Sequence, residues 1–286
     1  MQRGDFDPRS RDAVVEIGSK GRPVTEWDAK RYDEVDSLQK WIADKHLANL
    51  ELDGTERVLD IGCGEGKVTA EVAQRLANGS VLGIDPSTRM ISFARSHFPK
   101  DQHPNLGFEV ADARALPYRN AFDLVISFNA LHWVHEQDAA LRGIRTALKA
   151  SGRTFLQFVP QGSRKCLEDV IEETCRSERW VRYFGEGHSP PYVHFSPEEY
   201  AQLAERNGLR AERLERELYS WDFGGREGFA AWADVTFVEW TRKIPKDEHA
   251  SFIADVLDRY ERIDEPARPG FFQFYQMEVV LRPANG

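Results

Sequence analysis

The segment Val58-Leu59-Asp60-Ile61-Gly62-Cys63-Gly64-Glu65-Gly66 constrains this chain more than any other: a short apolar strand runs into three glycines spaced two apart, and a helical period follows from Lys67. A strand that turns through glycine into a helix is the opening unit of a doubly wound α/β sheet, and each missing Cβ lets a ligand lie against bare backbone. A dinucleotide fingerprint has the spacing G-x-G-x-x-G, with a pyrophosphate on the helix N-terminus. Here Gly66 comes one residue early, and Glu65 sets a negative charge inside the loop, where a pyrophosphate is repelled. The loop therefore favours a ligand without phosphates. One bearing an ammonium and a sulfonium, such as S-adenosylmethionine, meets Asp60 and Glu65 with favourable sign.

The alternation continues downstream. Residues 81–85 read as strand, 87–98 as helix, 107–110 and 122–128 as strands, 138–149 as a helix ending near Gly152, and 154–159 as a fifth strand. Short apolar strands between helices imply a parallel sheet covered on both faces, joined by right-handed crossovers. Beyond residue 160, helices are predicted over 165–181, 196–207, 228–243 and 246–263; Pro197 suits a first turn and Gly208 a C-terminal cap. Residues 213–223 and 271–281 alternate in polarity, as half-exposed antiparallel edge strands do. Ahead of the glycine loop, apolar residues from Trp27 to Leu50 fall near helical spacing, and Asp53-Gly54 is a stop signal.

The expected architecture is therefore α/β, doubly wound and mostly parallel, with a helical lid in which aromatic residues are denser than before residue 160. Residues 1–26 read as a mobile arm and 27–286 as a single domain. Within it, 27–160 is the cofactor-binding core, and 161–286 supplies the lid helices and the last two strands.

Charge narrows the partners. The chain carries 38 Lys and Arg against 47 Asp and Glu, a formal charge of −9, which is the wrong sign for a protein that neutralises phosphate backbones. Three cysteines, Cys63, Cys166 and Cys175, include no Cys-x-x-Cys pair, so neither a disulfide framework nor a zinc site is expected. With no apolar leader and no run long enough to span a bilayer, the sequence reads as a cytoplasmic protein acting on a small molecule, without a nucleic-acid, membrane or metal partner. Its oligomeric state is left open.

Acidic residues close successive strands. Asp85 ends the second strand, where a carboxylate at a switch-point crevice accepts both ribose hydroxyls, and Asp112 ends the third, placed for an adenine amino group. One such Asp is commonly a helix N-cap. Three, counting Asp60, beside a glycine turn form a ligand-facing set.

Val58 to Thr69, Gly83 to Arg95, Phe108 to Leu116 and Phe122 to Trp133 together resemble the class I S-adenosylmethionine-dependent methyltransferases, within them the small-molecule group that includes trans-aconitate and juvenile hormone acid methyltransferases. The likeness covers residues 27–160 in motif and the remainder mainly in layout. It implies a seven-stranded sheet whose last pair is antiparallel. It also implies that Gly62 and Gly64 approach the cofactor's methionine moiety, that Asp85 holds the ribose and Asp112 with Ala113 the adenine amine, and that Met90 packs on the adenosine. Cys63, Pro86 and Asn129 complete the implied cofactor contacts, with Tyr32 reaching the cofactor's carboxylate. Leu148-Lys149-Ala150-Ser151-Gly152 replaces the family's Leu-x-Pro-Gly-Gly, a change read as an altered turn.

Carboxyl methyltransferases of this kind use a Trp after the fourth strand and a Gln on the N-terminal helix to hold the substrate carboxylate; Trp133 and Gln39 occupy those places, and both offer N–H donors. The implied reaction is methyl ester formation on a small molecule. The rival keeps the cofactor but methylates a hydroxyl, amine or carbon, with His132 or His135 as general base. Asn129 is followed by Ala-Leu-His and not by Pro-Pro-Tyr, which disfavours base methylation in DNA. A crevice that binds without transferring, or an oxidoreductase with an unusual loop, are the remaining classes. Gln39 with Trp133 argues against the first and Glu65 against the second.

Overall fold

The computed structural model describes residues 37–263 and 267–284; the expected arm over 1–26 and Tyr32 lie outside them. Five strands alternate with helices through the first half: α1 (Ser37–Ala48), β1 (Arg57–Ile61), α2 (Lys67–Arg75), β2 (Ser80–Asp85), α3 (Thr88–His97), β3 (Leu106–Val110), β4 (Phe122–Phe128), α4 (Gln137–Ala147) and β5 (Leu148–Phe158). Then follow α5 (Leu167–Cys175), α6 (Val181–Phe184), α7 (Pro197–Arg206), β6 (Leu209–Asp222), α8 (Arg226–Thr236), α9 (Val238–Thr241), α10 (His249–Glu261) and β7 (Phe271–Pro283).

The strands form one seven-stranded sheet in the order β3-β2-β1-β4-β5-β7-β6, parallel through β5, with β7 antiparallel to both of its neighbours. Central strands are apolar on both sides because both faces are covered. On one face Leu47, Ala70, Val72, Ile91 and Ala94 pack under β1 and β2. On the other, Leu141 and Ile144 of α4 join Tyr200 and Leu203 of α7. A third cluster belongs to the lid: Trp180, Phe229, Trp240, Phe252 and Tyr260 are buried together with Leu38 and Ile42 of α1. Caps set the helix starts. Ser87 accepts from the Met90 amide at α3, Ser196 forms a reciprocal cap with Glu199 at α7, and the Cys166 thiol does the same with Asp169 at α5.

Four expectations need correction. The helix read over 138–149 ends at Ala147, and Leu148-Lys149-Ala150-Ser151-Gly152 is extended, not a turn. Leu148 is buried opposite Phe122, and Arg153 opposite Leu124, so the stretch is accommodated as an irregularity in the β4–β5 ladder. The helix over 165–181 stops at Cys175, where the Ser177 hydroxyl donates to the Thr174 carbonyl, and restarts as α6. The helix over 228–243 breaks at Phe237, which lets Phe237 and Trp240 both point into the lid core. The stretch 271–281 is no edge strand: β7 lies between β5 and β6, with Met277, Val279 and Leu281 fully buried, so only β6 is at the edge. Among the described residues no helix is long and apolar enough to cross a membrane.

Candidate active site

Strands are added outward in one direction from β1 to β3 and in the other from β4 to β5, so the carboxyl ends of the adjacent parallel strands β1 and β4 open a crevice at the switch point. The glycine loop shapes its floor. The amides of Gly62 and Cys63 both donate to the Ile84 carbonyl, at 2.8 and 3.0 Å, which draws the turn against the end of β2. Gly62 has φ +77°, and a Cβ there would stand 2.1 Å from the Ala130 Cβ, so only glycine lets the loop meet the chain leaving β4. Gly64, at φ +53°, has nothing within 4 Å of where its Cβ would be and presents bare backbone.

The acidic strand ends take three different positions. Asp60 is buried, and one of its oxygens accepts from the Thr69 hydroxyl at 2.7 Å. Burial pushes its carboxyl up to about 7; the Thr69 bond opposes this, while the charges of Asp85 and Glu65 add to it. Asp85 is aimed by two amides, Ser87 N–H at 2.8 Å on one oxygen and Gly64 N–H at 3.1 Å on the other. Asp112 caps the short turn Ala113–Ala115 and receives the guanidinium of Arg114 in a bidentate pair. Cys63 stays a thiol: burial raises its pKa, and Asp60, Asp85 and Glu65 raise it further.

One cavity of about 1180 Å³ gathers these groups. That exceeds the ~300–1,000 Å³ of pockets for a single drug-sized ligand and leaves room for cofactor and acceptor together. Asp60, Gly62, Cys63, Gly64, Asp85 and Pro86 line it, as do Met90, Asp112, Ala113, Asn129, Gln39 and Trp133. The residues fit S-adenosylmethionine, because a carboxyl whose pKa is raised by burial, with Asp85 and Glu65 adding to it, gains a favourable partner in a cation.

His132 is not brought to this cavity, and the expectation that it stands at the rim as a base is corrected. The loop after α6 folds over it: Val193 N–H donates to the His132 carbonyl, the ring tilts against Trp133 and His194, and burial together with His194 drives its pKa well down. Its neighbour His135 does line the cavity, tied through Nε2 to the Pro190 carbonyl at 3.0 Å.

Gln39 and Trp133 line the same cavity, and each is set by the lid. The Trp232 indole N–H lies 3.3 Å from Gln39 Oε1. Because indole only donates, the amide oxygen of Gln39 must face Trp232, which leaves its NH₂ to donate elsewhere. Trp133 packs edge-on against Trp240, centroids 5.9 Å apart. Sequence reasoning missed Trp232, Trp240, and Gln137, whose buried amide donates to the carbonyls of Leu131 and Val134 and fixes the turn bearing Trp133. It also missed Glu239 and Arg242, an ion pair on the lid side of the cavity. No local signal marks the lid residues: Trp232 stands 193 positions from the glutamine it orients.

Comparison with known proteins matches a methyltransferase domain over residues 58–152. The chain is 30% identical over 230 residues to a trans-aconitate 2-methyltransferase of Deinococcus radiodurans, covering 79% of this chain and 84% of that one. It is 27% identical to a juvenile hormone acid O-methyltransferase of Drosophila melanogaster, over 82% of this chain and 78% of the relative. The fold is similar to that of Haemonchus contortus phosphoethanolamine N-methyltransferase 2, solved in complex with S-adenosyl-L-methionine, with a TM-score of 0.58 at 17% identity over 89% of this chain and 56% of that one. The seven-stranded sheet and a 30% identity sustained across most of a relative's length place the protein in a family: it belongs to the class I S-adenosylmethionine-dependent methyltransferases, and S-adenosylmethionine is its cofactor.

Proposed function

We propose that the protein esterifies a carboxylate of a small molecule with the methyl group of S-adenosylmethionine. The observation that carries this is the orientation of Gln39: with its oxygen turned to Trp232, its amide has N–H donors left for the cavity, which Trp133, another N–H donor, also lines. A pair of N–H donors suits a carboxylate and suits an amine poorly. A carboxylic acid with a pKa near 4 is already ionised at neutral pH, so the chain needs only to hold it in line. Positioning alone supplies about 7–11 kcal/mol in favourable cases. A hydroxyl acceptor would need a base; His132 is buried and does not line the cavity, which leaves His135, whose Nε2 is tied to the Pro190 carbonyl. The two relatives above are named for acids, trans-aconitate and juvenile hormone acid, which agrees with this reading.

When bound, the cofactor supplies an electrophilic methyl on a sulfonium. Asp85 is assigned to the ribose hydroxyls, Gly62, Cys63 and Gly64 to the methionine end, and Asp112, Ala113, Pro86 and Met90 to the adenosine, Asp112 offering the lone pairs that Arg114 leaves. Tyr32 and Asn129 are assigned to the cofactor's methionine carboxylate. Three unpaired cysteines favour a reducing compartment such as the cytoplasm.

Incubation with methyl-labelled S-adenosylmethionine and a small-molecule extract, followed by mild alkali, tests the acceptor. Labelled methanol released by base is the expected result. A labelled product that survives base overturns the carboxylate reading and moves attention to His135.

A further inference from the structure

Asn129, the first residue after β4, is held by two buried glutamines from elsewhere in the sheet. Its Oδ1 accepts from Gln157 Nε2 of β5 at 3.3 Å and from Gln276 Nε2 of β7 at 3.2 Å, and its backbone N–H donates to the backbone carbonyl of Gln157 at 2.8 Å. Gln157 is 0% and Gln276 3% exposed, and the Oε1 atom of each is buried without a partner. Asn129 itself sits at φ +52°, one of two non-glycine residues with positive φ among those described, a conformation that asparagine tolerates best.

The direction of these amides follows from what burial allows. Reversing all three would leave two buried NH₂ groups without acceptors, whereas the observed arrangement leaves two carbonyl oxygens, the less costly orphan. With both lone pairs of Oδ1 committed, the only group Asn129 has left is Nδ2, which makes no hydrogen bond among the described residues on a side chain that borders the cavity. The next residue, Ala130, abuts Gly62, so Asn129 stands at the glycine-loop end. Of the other polar groups lining that end, Asp60, Glu65 and Asp85 are acidic and suit the positive end of a zwitterion, and Lys67 is the one that, like Asn129, suits the negative end.

We propose that Gln157 and Gln276 are positioning residues that fix Asn129 as a hydrogen-bond donor to the carboxylate of the cofactor's methionine end. The glycine loop and Asp60 then meet the cationic groups while the amide trio meets the anionic one, so the cavity reads the ligand's polarity as well as its shape. This rests on the cavity holding the cofactor. Asp85→Ala, expected to weaken every adenosine ligand alike, checks that premise separately.

Calorimetric titration with S-adenosylhomocysteine and with its decarboxylated analogue, 5′-deoxy-5′-(3-aminopropylthio)adenosine, tests the assignment without turnover. The unaltered protein is expected to bind S-adenosylhomocysteine at least tenfold more tightly. Asn129→Asp keeps both glutamine contacts but presents oxygen to the cavity, and it is expected to bring that ratio close to one by weakening S-adenosylhomocysteine alone. Gln276→Met, which frees Asn129 without changing it, is expected to lower the ratio several-fold, and it serves as the test if the aspartate variant fails to fold. A ratio near one in the unaltered protein, or variants that leave the ratio intact or weaken both ligands equally, overturns the assignment.

Discussion

The molecule keeps its chemistry in two different ways on either side of residue 160. Before it, four polar groups that line the cavity stand at strand ends: Asp60 on β1, Asp85 on β2, Asp112 after β3 and Asn129 after β4. Their positions follow from four parallel strands and a glycine turn, and little else has to be right. Beyond it, the groups that matter act through rings. Trp232 sets Gln39, Trp240 braces Trp133, and both belong to a cluster that includes Phe229, Phe237 and Phe272. The first arrangement is local and carries the residues proposed for the cofactor; the second is assembled from distant segments and carries those proposed for the acceptor. A protein built this way can change acceptor by repacking its lid while its cofactor site stays put.

The sharpest way to break this contrast is Trp240→Ala. The ring is buried, donates to Glu172 at 2.8 Å and braces Trp133, so its loss is expected to cost about 3–5 kcal/mol in unfolding experiments. At permissive temperature S-adenosylhomocysteine affinity should stay within a few-fold; its collapse would show that the two halves are not separable. From the other side, Asp85→Ala is expected to weaken S-adenosylhomocysteine by about 1–3 kcal/mol in calorimetry, because a carboxylate already aimed by two amides is removed. Trp232→Phe deletes only the donor that orients Gln39. It should raise the acceptor KM with a loss of about 0.5–1.5 kcal/mol in kcat/KM and no change in cofactor affinity.

The smallest effect is a pH dependence. The folded Asp60 carboxyl titrates near 7, above its ordinary value of 3.8, so the folded chain keeps a proton that the unfolded chain has lost in that window. Its contribution to stability is complete below pH 4 and is lost as pH rises through 7. A cationic ligand favours the ionised form, so S-adenosylmethionine should bind a few-fold more tightly at pH 8 than at pH 6, and S-adenosylhomocysteine, without the sulfonium, should gain less. Asp60→Asn should flatten the difference between the two.

Legibility in the sequence follows the same division. The strand ends and their carboxylates are readable because a buried parallel strand is a continuous apolar run and glycine marks where it turns. The correct extent of β5 is not, since Leu148 to Gly152 carries no β-branched pattern and is pinned at its ends by the pairs Leu148–Phe122 and Arg153–Leu124 across the ladder. That β7 is interior is equally unreadable: its alternating polarity reflects Gln276 and Glu278, buried polar residues whose partners Asn129, His46 and Asn49 lie far away in the chain. His132 misleads for the opposite reason. Its place beside Trp133 suggests the rim, but which way a ring turns is decided by the loop bearing Val193 and His194.

The strand order carries a consequence for how the molecule comes into being. β7, the last strand of the described chain, is the one that seals β5, so a nascent chain that has emerged only through residue 160 carries the glycine loop and the ends of β1 to β4 beside an open row of β5 backbone groups. That row is a template for pairing with any extended segment, including a neighbour's, until the β6–β7 ribbon with its helical insertion docks on it. The time for which the chain is at risk is set by the slow, non-local closure of this pair, not by the fast local folding of the parallel half.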